Sequence, residues 1–179
     1  MSEDGMGTIE RLFSPTEDTS PPETKAAQER QEKWDRRYVQ LAREVATWSK
    51  DPSTKVGALI VDPLNRIASS GFNGFPPEHC DAPELYANRE YKYEHVIHAE
   101  INALNFLGGR CPGFSLYTSF PCCPNCIQAA HEAGIARIVG PYLERRGRTQ
   151  EWVFAWEGRT ELSKEMASTA GIEWVELRV

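Results

Sequence analysis

The chain has 179 residues, 40% of them hydrophobic, and a net charge of −6 at pH 7. That length suits one domain with a real core, and the acidic balance argues against a long nucleic acid as partner while leaving open a mononucleotide, whose phosphate needs only one or two local donors. No apolar run can span a bilayer and no apolar leader stands near Met1, so a cytoplasmic location without a membrane partner is expected; five cysteines, an odd number, do not suggest a disulfide framework.

Residues 1–30 are rich in Ser, Thr, Glu, Asp, Gly and Pro at their start and lack apolar periodicity there, which predicts a disordered or loosely ordered tail before a domain over 31–179. A helix is expected from about Ala26 to Trp48, with Tyr38, Leu41, Val45 and Trp48 as its buried stripe and Asp51-Pro52 beyond its end. Val56 to Val61 reads as a buried strand, Asp62 to Asn65 as a turn, and Arg66 to Ser70 as the returning strand of a hairpin. Gly71 to Glu94 is a long irregular connection, helical late if at all. Ile101, Leu104 and Leu107 then recur at helical spacing, so His98 opens a helix that Gly108-Gly109 stops. Phe114 to Ser119 is a strand, and Pro124 suits the first turn of a helix running to Gly134. Ile135 to Val139 is a strand, Gly140 to Gly158 is Arg-rich and without a clear period, Thr160 to Ala170 is helical, and Ile172 to Val179 alternates like a terminal strand. Strands separated by helices imply parallel neighbours with helical cover.

Two short motifs carry chemistry. His98-Ala99-Glu100 is followed by Cys123-Pro124-Asn125-Cys126. Zinc takes four ligands; structural sites close all four positions, and catalytic sites keep one for water. His98, Cys123 and Cys126 make three ligands, and two thiolates with a neutral imidazole cancel the charge of Zn²⁺. Water in the fourth position then ionises near neutral pH. Glu100 is a poor co-ligand with His98, because residues two apart do not share a helix face. In a first turn both side chains can still reach one cleft, where a carboxylate can move protons. These are the parts of the zinc-assisted hydrolytic deamination of a base.

The same residues resemble the cytidine deaminase superfamily, most closely its deoxycytidylate deaminase branch. The resemblance is carried by Ser49-Lys50-Asp51-Pro52-Ser53-Thr54-Lys55-Val56-Gly57, Gly71-Phe72-Asn73-Gly74-Phe75-Pro76, His98 to Ala103, and Cys123 to Cys126, and it covers the chain from about Trp34 onward. It implies an α/β fold of three layers, α/β/α, with a mixed sheet of about five strands and helices on both faces. It implies hydrolysis of dCMP to dUMP and ammonia for thymidylate synthesis, one catalytic zinc, a homo-oligomer, and dCTP and dTTP as effectors. Asn73 matches the asparagine that contacts the substrate sugar, although an Asn in such a turn is by itself more often a positive-φ residue. Ser49, Lys50 and Lys55 are the candidate phosphate contacts.

Three points stay open at this level. Pro121-Cys122-Cys123 puts a second thiol beside the expected ligand; the C-x-x-C spacing selects Cys123 with Cys126, and Cys122 is expected as a small buried residue. His79, Cys80 and His95 are the residues a second, structural zinc would use, against the plainer reading of scattered loop residues. Arg145-Arg146-Gly147-Arg148 is a solvated loop or a contribution to a neighbouring subunit's site. The alternatives to dCMP are another small base or nucleoside (cytidine, guanine, a 5-substituted dCMP), a polynucleotide, or a zinc module without catalysis.

Overall fold

A computed structural model describes residues 22–145 and 147–178. Its elements in chain order are α1 (Pro22–Ala46), β1 (Gly57–Val61), β2 (Ile67–Phe72), α2 (Pro83–Ala87), α3 (Arg89–His95), α4 (Ala99–Leu107), β3 (Ser115–Thr118), α5 (Pro124–Ala133), β4 (Arg137–Pro141), α6 (Gln150–Thr169) and β5 (Glu173–Leu177). Five strands form one sheet in the order β2-β1-β3-β4-β5. β1 pairs antiparallel with both β2 and β3. β3, β4 and β5 run parallel, and the helices α5 and α6 make the crossovers that parallel neighbours need. The mixed five-stranded sheet of the expected three-layer fold is present.

Alternation along the strands builds the two layers of core. Ala58 and Ile60 of β1, Leu116 of β3 and Ile138 of β4 pack with Ala99 and Ala103 of α4 and with Cys126, Ile127 and Ala130 of α5. Their neighbours Leu59, Val61, Tyr117 and Val139 point the other way, onto Tyr38, Val39, Ala42 and Val45 of α1. Two glycines let helices reach the sheet. A methyl at Gly57 would collide with the backbone of α1 at Ala42 and Ala46, and one at Gly71 with the backbone of α4 at Ala99 and Ala103. The second contact sets α4, and with it His98 and Glu100, against β2.

A buried charge group ties α1 to the sheet. Both guanidinium nitrogens of Arg137 donate to Asp35, each at 2.8 Å, and the Tyr117 hydroxyl donates to the same carboxylate at 2.9 Å. Planar bidentate geometry of this kind is the strong form of the ion pair.

The structure differs from expectation in four places. α1 begins at Pro22, so residues 22–30, assigned to the tail, are helical; no glycine and no second proline interrupts the run to Ala46. Residues 1–21 of that tail lie outside the described residues. The buried stripe of α1 runs through Tyr38, Val39, Ala42, Val45 and Ala46; Leu41 falls on its flank at 38% exposure, and Trp48, beyond the helix end, is 60% exposed. α2 and α3 are distinct helices inside the connection that looked irregular. α6 starts ten residues before Thr160, at Gln150, where Thr149 caps it by accepting from the Trp152 amide, and Gly158 lies within the helix.

Candidate metal centre and its cavity

The histidine and the first cysteine open their helices. His98 is the N-cap of α4 and Cys123 the N-cap of α5, both with extended backbone, and Pro124 stands at the first helical position. Glu100 therefore falls in the first turn of α4 and Cys126 in the first turn of α5. The two helix starts face each other just beyond the carboxyl end of β3, the usual place for ligands on such sheets.

Nδ1 of His98 lies 3.4 Å from Sγ of Cys123 and 3.3 Å from Sγ of Cys126, and the sulfurs are 3.5 Å apart. A tetrahedral zinc with bonds of about 2.3 Å to sulfur and about 2.0 Å to nitrogen has edges of about 3.5–3.8 Å. The triangle is already close to that size, so these residues fit the ion. Both thiols are buried while His98 is exposed, and His98 and Cys123 line a cavity of about 450 Å³. The triangle's open side thus faces space that a ligand can enter. Hydrogen bonding with Cys126 and then with His98 holds the Cys123 thiol well below its ordinary range, while Cys122, Cys123 and burial push Cys126 up. Cys126 therefore gives up its proton when metal binds.

Glu100 is 3% exposed and lines the same cavity. Burial raises its carboxyl above the ordinary range, against the opposing pull of His98. Oγ1 of Thr118 lies 3.4 Å from Oε1 of Glu100 and 2.8 Å from the Phe120 carbonyl. With the hydroxyl proton on that carbonyl, Thr118 can accept from a protonated Glu100. A second ligand set, Glu100 with Cys122 and Cys126, is also within metal-binding reach, but all three are buried. Cys122 is 1% exposed and packed in the core, as expected for a small apolar residue.

Asn73 lines the cavity, yet its side chain is occupied. Its Oδ1 accepts from the Val56 amide at 2.8 Å, and its Nδ2 donates to the Thr54 carbonyl at 3.0 Å. It pins the 51–56 loop, and its Oδ1 keeps one acceptor lone pair beyond the bond to Val56. It is not among the described residues with positive φ. Among the described residues of the cavity wall, Ser49, Lys50 and Lys55 do not appear. The Ser49 hydroxyl donates to the Asn73 carbonyl at 2.8 Å, Lys50 is paired with Asp81, and Lys55 is exposed near the Thr47 carbonyl. His79, Cys80 and His95 do not converge on a metal geometry. Nδ1 of His79 lies 2.8 Å from the Cys80 carbonyl and Nε2 lies 2.9 Å from the Tyr91 hydroxyl, and His95 stacks on Tyr91.

The sequence gives no warning of several wall residues. Lys92 is a buried cation whose Nζ is 3.0 Å from Asp51 and 2.6 Å from Ser53, and Arg89 precedes it on α3. Arg148, from the run expected to be solvated, lines the cavity with Trp152 and Trp156. The available signal was Thr149, a capping residue three before the first of two tryptophans spaced four apart. The wall holds Arg89, Lys92 and Arg148 against the carboxylates of Asp51 and Glu100, a local excess of positive charge in an acidic chain.

Residues 32–140 match a family model described as the cytidine and deoxycytidylate deaminase zinc-binding region. The chain is 39% identical over 150 residues to an uncharacterized deaminase in the luxG 3′ region of Aliivibrio fischeri, covering 82% of this chain and 97% of that one. It is 33% identical to a probable deoxycytidylate deaminase of Drosophila melanogaster, covering 79% of this chain and 70% of that one. Its fold is similar to the crystal structure of dCMP deaminase from the cyanophage S-TIM5 in complex with dCMP and dUMP, with a TM-score of 0.58 at 22% identity over 88% of this chain and 99% of that one. Among the described residues no helix is long and apolar enough to cross a membrane.

Proposed function

The chain belongs to the cytidine and deoxycytidylate deaminase zinc-binding family, and from that premise we propose that it catalyses the hydrolytic deamination of dCMP to dUMP and ammonia. The observation that carries the reading is the triangle of His98, Cys123 and Cys126 at an open cavity, with Glu100 buried beside it.

His98, Cys123 and Cys126 would hold the zinc, which when bound would lower the pKa of water for attack on the ring. Glu100 takes one proton from the attacking water and delivers it to ring N3 of the cytosine, then takes the remaining proton from the oxygen now bonded to C4 and delivers it to the amine, which leaves as ammonia when the C4–N bond breaks. Burial suits it to this work, because a carboxyl raised above its ordinary range holds a transferred proton more readily than an exposed one does. Thr118 beside Oε1 orients the carboxyl. Asn73, fixed by the 51–56 loop, accepts from a sugar hydroxyl through its remaining lone pair. Ser49, Lys50 and Lys55 do not line the cavity, so the phosphate role passes to the cations that do, Arg89, Lys92 and Arg148. By the same family reading the enzyme is a cytoplasmic homo-oligomer that answers to dCTP and dTTP.

Ammonia release by zinc-loaded protein on dCMP, deoxycytidine, dCTP and a cytosine-containing single strand tests this directly. Turnover of dCMP above the others is expected. Turnover of another member moves the substrate assignment, and silence on all four, with dCTP added as activator, overturns it.

A further inference from the structure

The part of the cavity wall furthest along the chain comes from α6 and the residue run before it. Trp152 and Trp156 lie one turn apart on the same helix face. Phe120, in the loop between β3 and the cysteines, meets Trp156 edge to face at 4.7 Å and 88°, and meets Trp152 at 6.1 Å. The two indoles are 5.9 Å apart, and the Arg148 guanidinium lies 4.6 Å from the Trp152 ring centre. Trp152 is fixed from its backbone as well: its amide donates to the Thr149 hydroxyl oxygen at 3.3 Å.

Trp156 has a structural reason to be there, since it packs on the core against the sheet; Trp152 belongs to neither core cluster among the described residues. A large, half-buried indole with no part in the core, held on three sides and turned to a cavity, is placed to meet a ligand. The region shared with the family model ends at residue 140, so Phe120 lies within it, while Arg148, Trp152 and Trp156 stand beyond it. Phe120 is three residues from Cys123, which puts the aromatic wall at the metal end of the cavity, where the reacting ring must lie.

Resting on the deaminase reading above, we propose that Trp152 is a specificity-determining residue whose indole, backed by Phe120, Trp156 and Arg148, stacks on the heteroaromatic base of the substrate. Stacking of a base on an aromatic side chain tolerates many bases but requires a flat ring, so this wall selects a ring and leaves the choice of atoms on it to the metal end.

The test compares zinc-loaded wild type with Trp152→Leu, Trp152→Phe and Phe154→Leu. Phe154 is on the same helix, 79% exposed and absent from the cavity wall, so its replacement should change nothing. For Trp152→Leu the KM for dCMP should rise about tenfold or more, with kcat within about threefold and zinc content unchanged; Trp152→Phe should recover most of the loss. Titration with dUMP, which is not turned over, should quench tryptophan emission in wild type and much less in Trp152→Leu. A wild type that turns over dCMP beside a Trp152→Leu protein with unchanged KM and unchanged quench overturns the wall alone. A wild type that releases no ammonia from dCMP counts against the nucleotide reading and the wall together.

Discussion

His98 and Cys126 are 28 residues apart in the chain, yet Nδ1 of one lies 3.3 Å from Sγ of the other. The contact exists because each stands in the opening turn of its own helix, and the two helices are laid on one face of the sheet by Ala99, Ala103, Cys126 and Ile127.

The first prediction concerns the ligands. Cys126→Ala and Cys123→Ala should each lose zinc, measured by metal analysis of the purified protein, and should melt at lower temperature than wild type, because metal binding is coupled to folding. Cys122→Ala should keep a full load. A full load in Cys123→Ala together with loss in Cys122→Ala would assign the metal to Glu100, Cys122 and Cys126 instead, a set also within reach.

Glu100→Gln should keep zinc and lose turnover of dCMP by about 10²–10⁴-fold, the usual worth of a positioned proton-transfer group. The amide is nearly isosteric and can still meet Thr118, so stability should hold. Near-full rate in this variant would remove Glu100 from the reaction.

Arg137→Ala should destabilise the protein by about 3–5 kcal/mol in denaturant unfolding, since it takes the cation and two hydrogen bonds from the buried Asp35 carboxylate and leaves the Tyr117 hydroxyl bond in place. Zinc content at equal fraction folded should be unchanged, because the pair lies on the α1 side of the sheet and not on the cavity wall. A loss below 1 kcal/mol would show that Asp35 is solvated or paired elsewhere.

Asp51 supplies a pH dependence. Burial raises its carboxyl, but the Ser53 amide and hydroxyl, Lys92 and the Thr54 amide together outweigh burial and hold it below the ordinary range. A depressed carboxyl contributes stability that is fully present above its unfolded value of about 3.9 and is lost as pH falls through its folded value. The gap in unfolding free energy between wild type and Asp51→Asn should be flat above about pH 4 and shrink below it. A gap that widens toward acid would contradict the pairing with Lys92.

Much of this was legible in the chain itself. Zinc needs particular donor atoms at short spacing, so His98-Ala99-Glu100 and Cys123 to Cys126 declare themselves by residue type alone, and the helix each begins is set by local rules: Pro124 at a first turn, glycine at each end. Short apolar runs bounded by turn residues, and alternation at the chain's last strand, located every strand to within about two residues. What only the tertiary structure decided is which side chains share the cavity. Lys50 stands between Ser49 and Asp51 and Lys92 between two tyrosines, yet neither setting names the partner: one pairs with Asp81 at the surface and the other is buried on Asp51. Trp48 and Trp152 are both large apolar residues near helix ends; one faces solvent at 60% exposure, and the other lines the cavity that His98 and Cys123 also line. Such choices depend on contacts far apart in sequence, Lys92 of α3 with Asp51 and Trp152 of α6 with Phe120. Periodicity records only that a residue faces something, while packing decides what it faces.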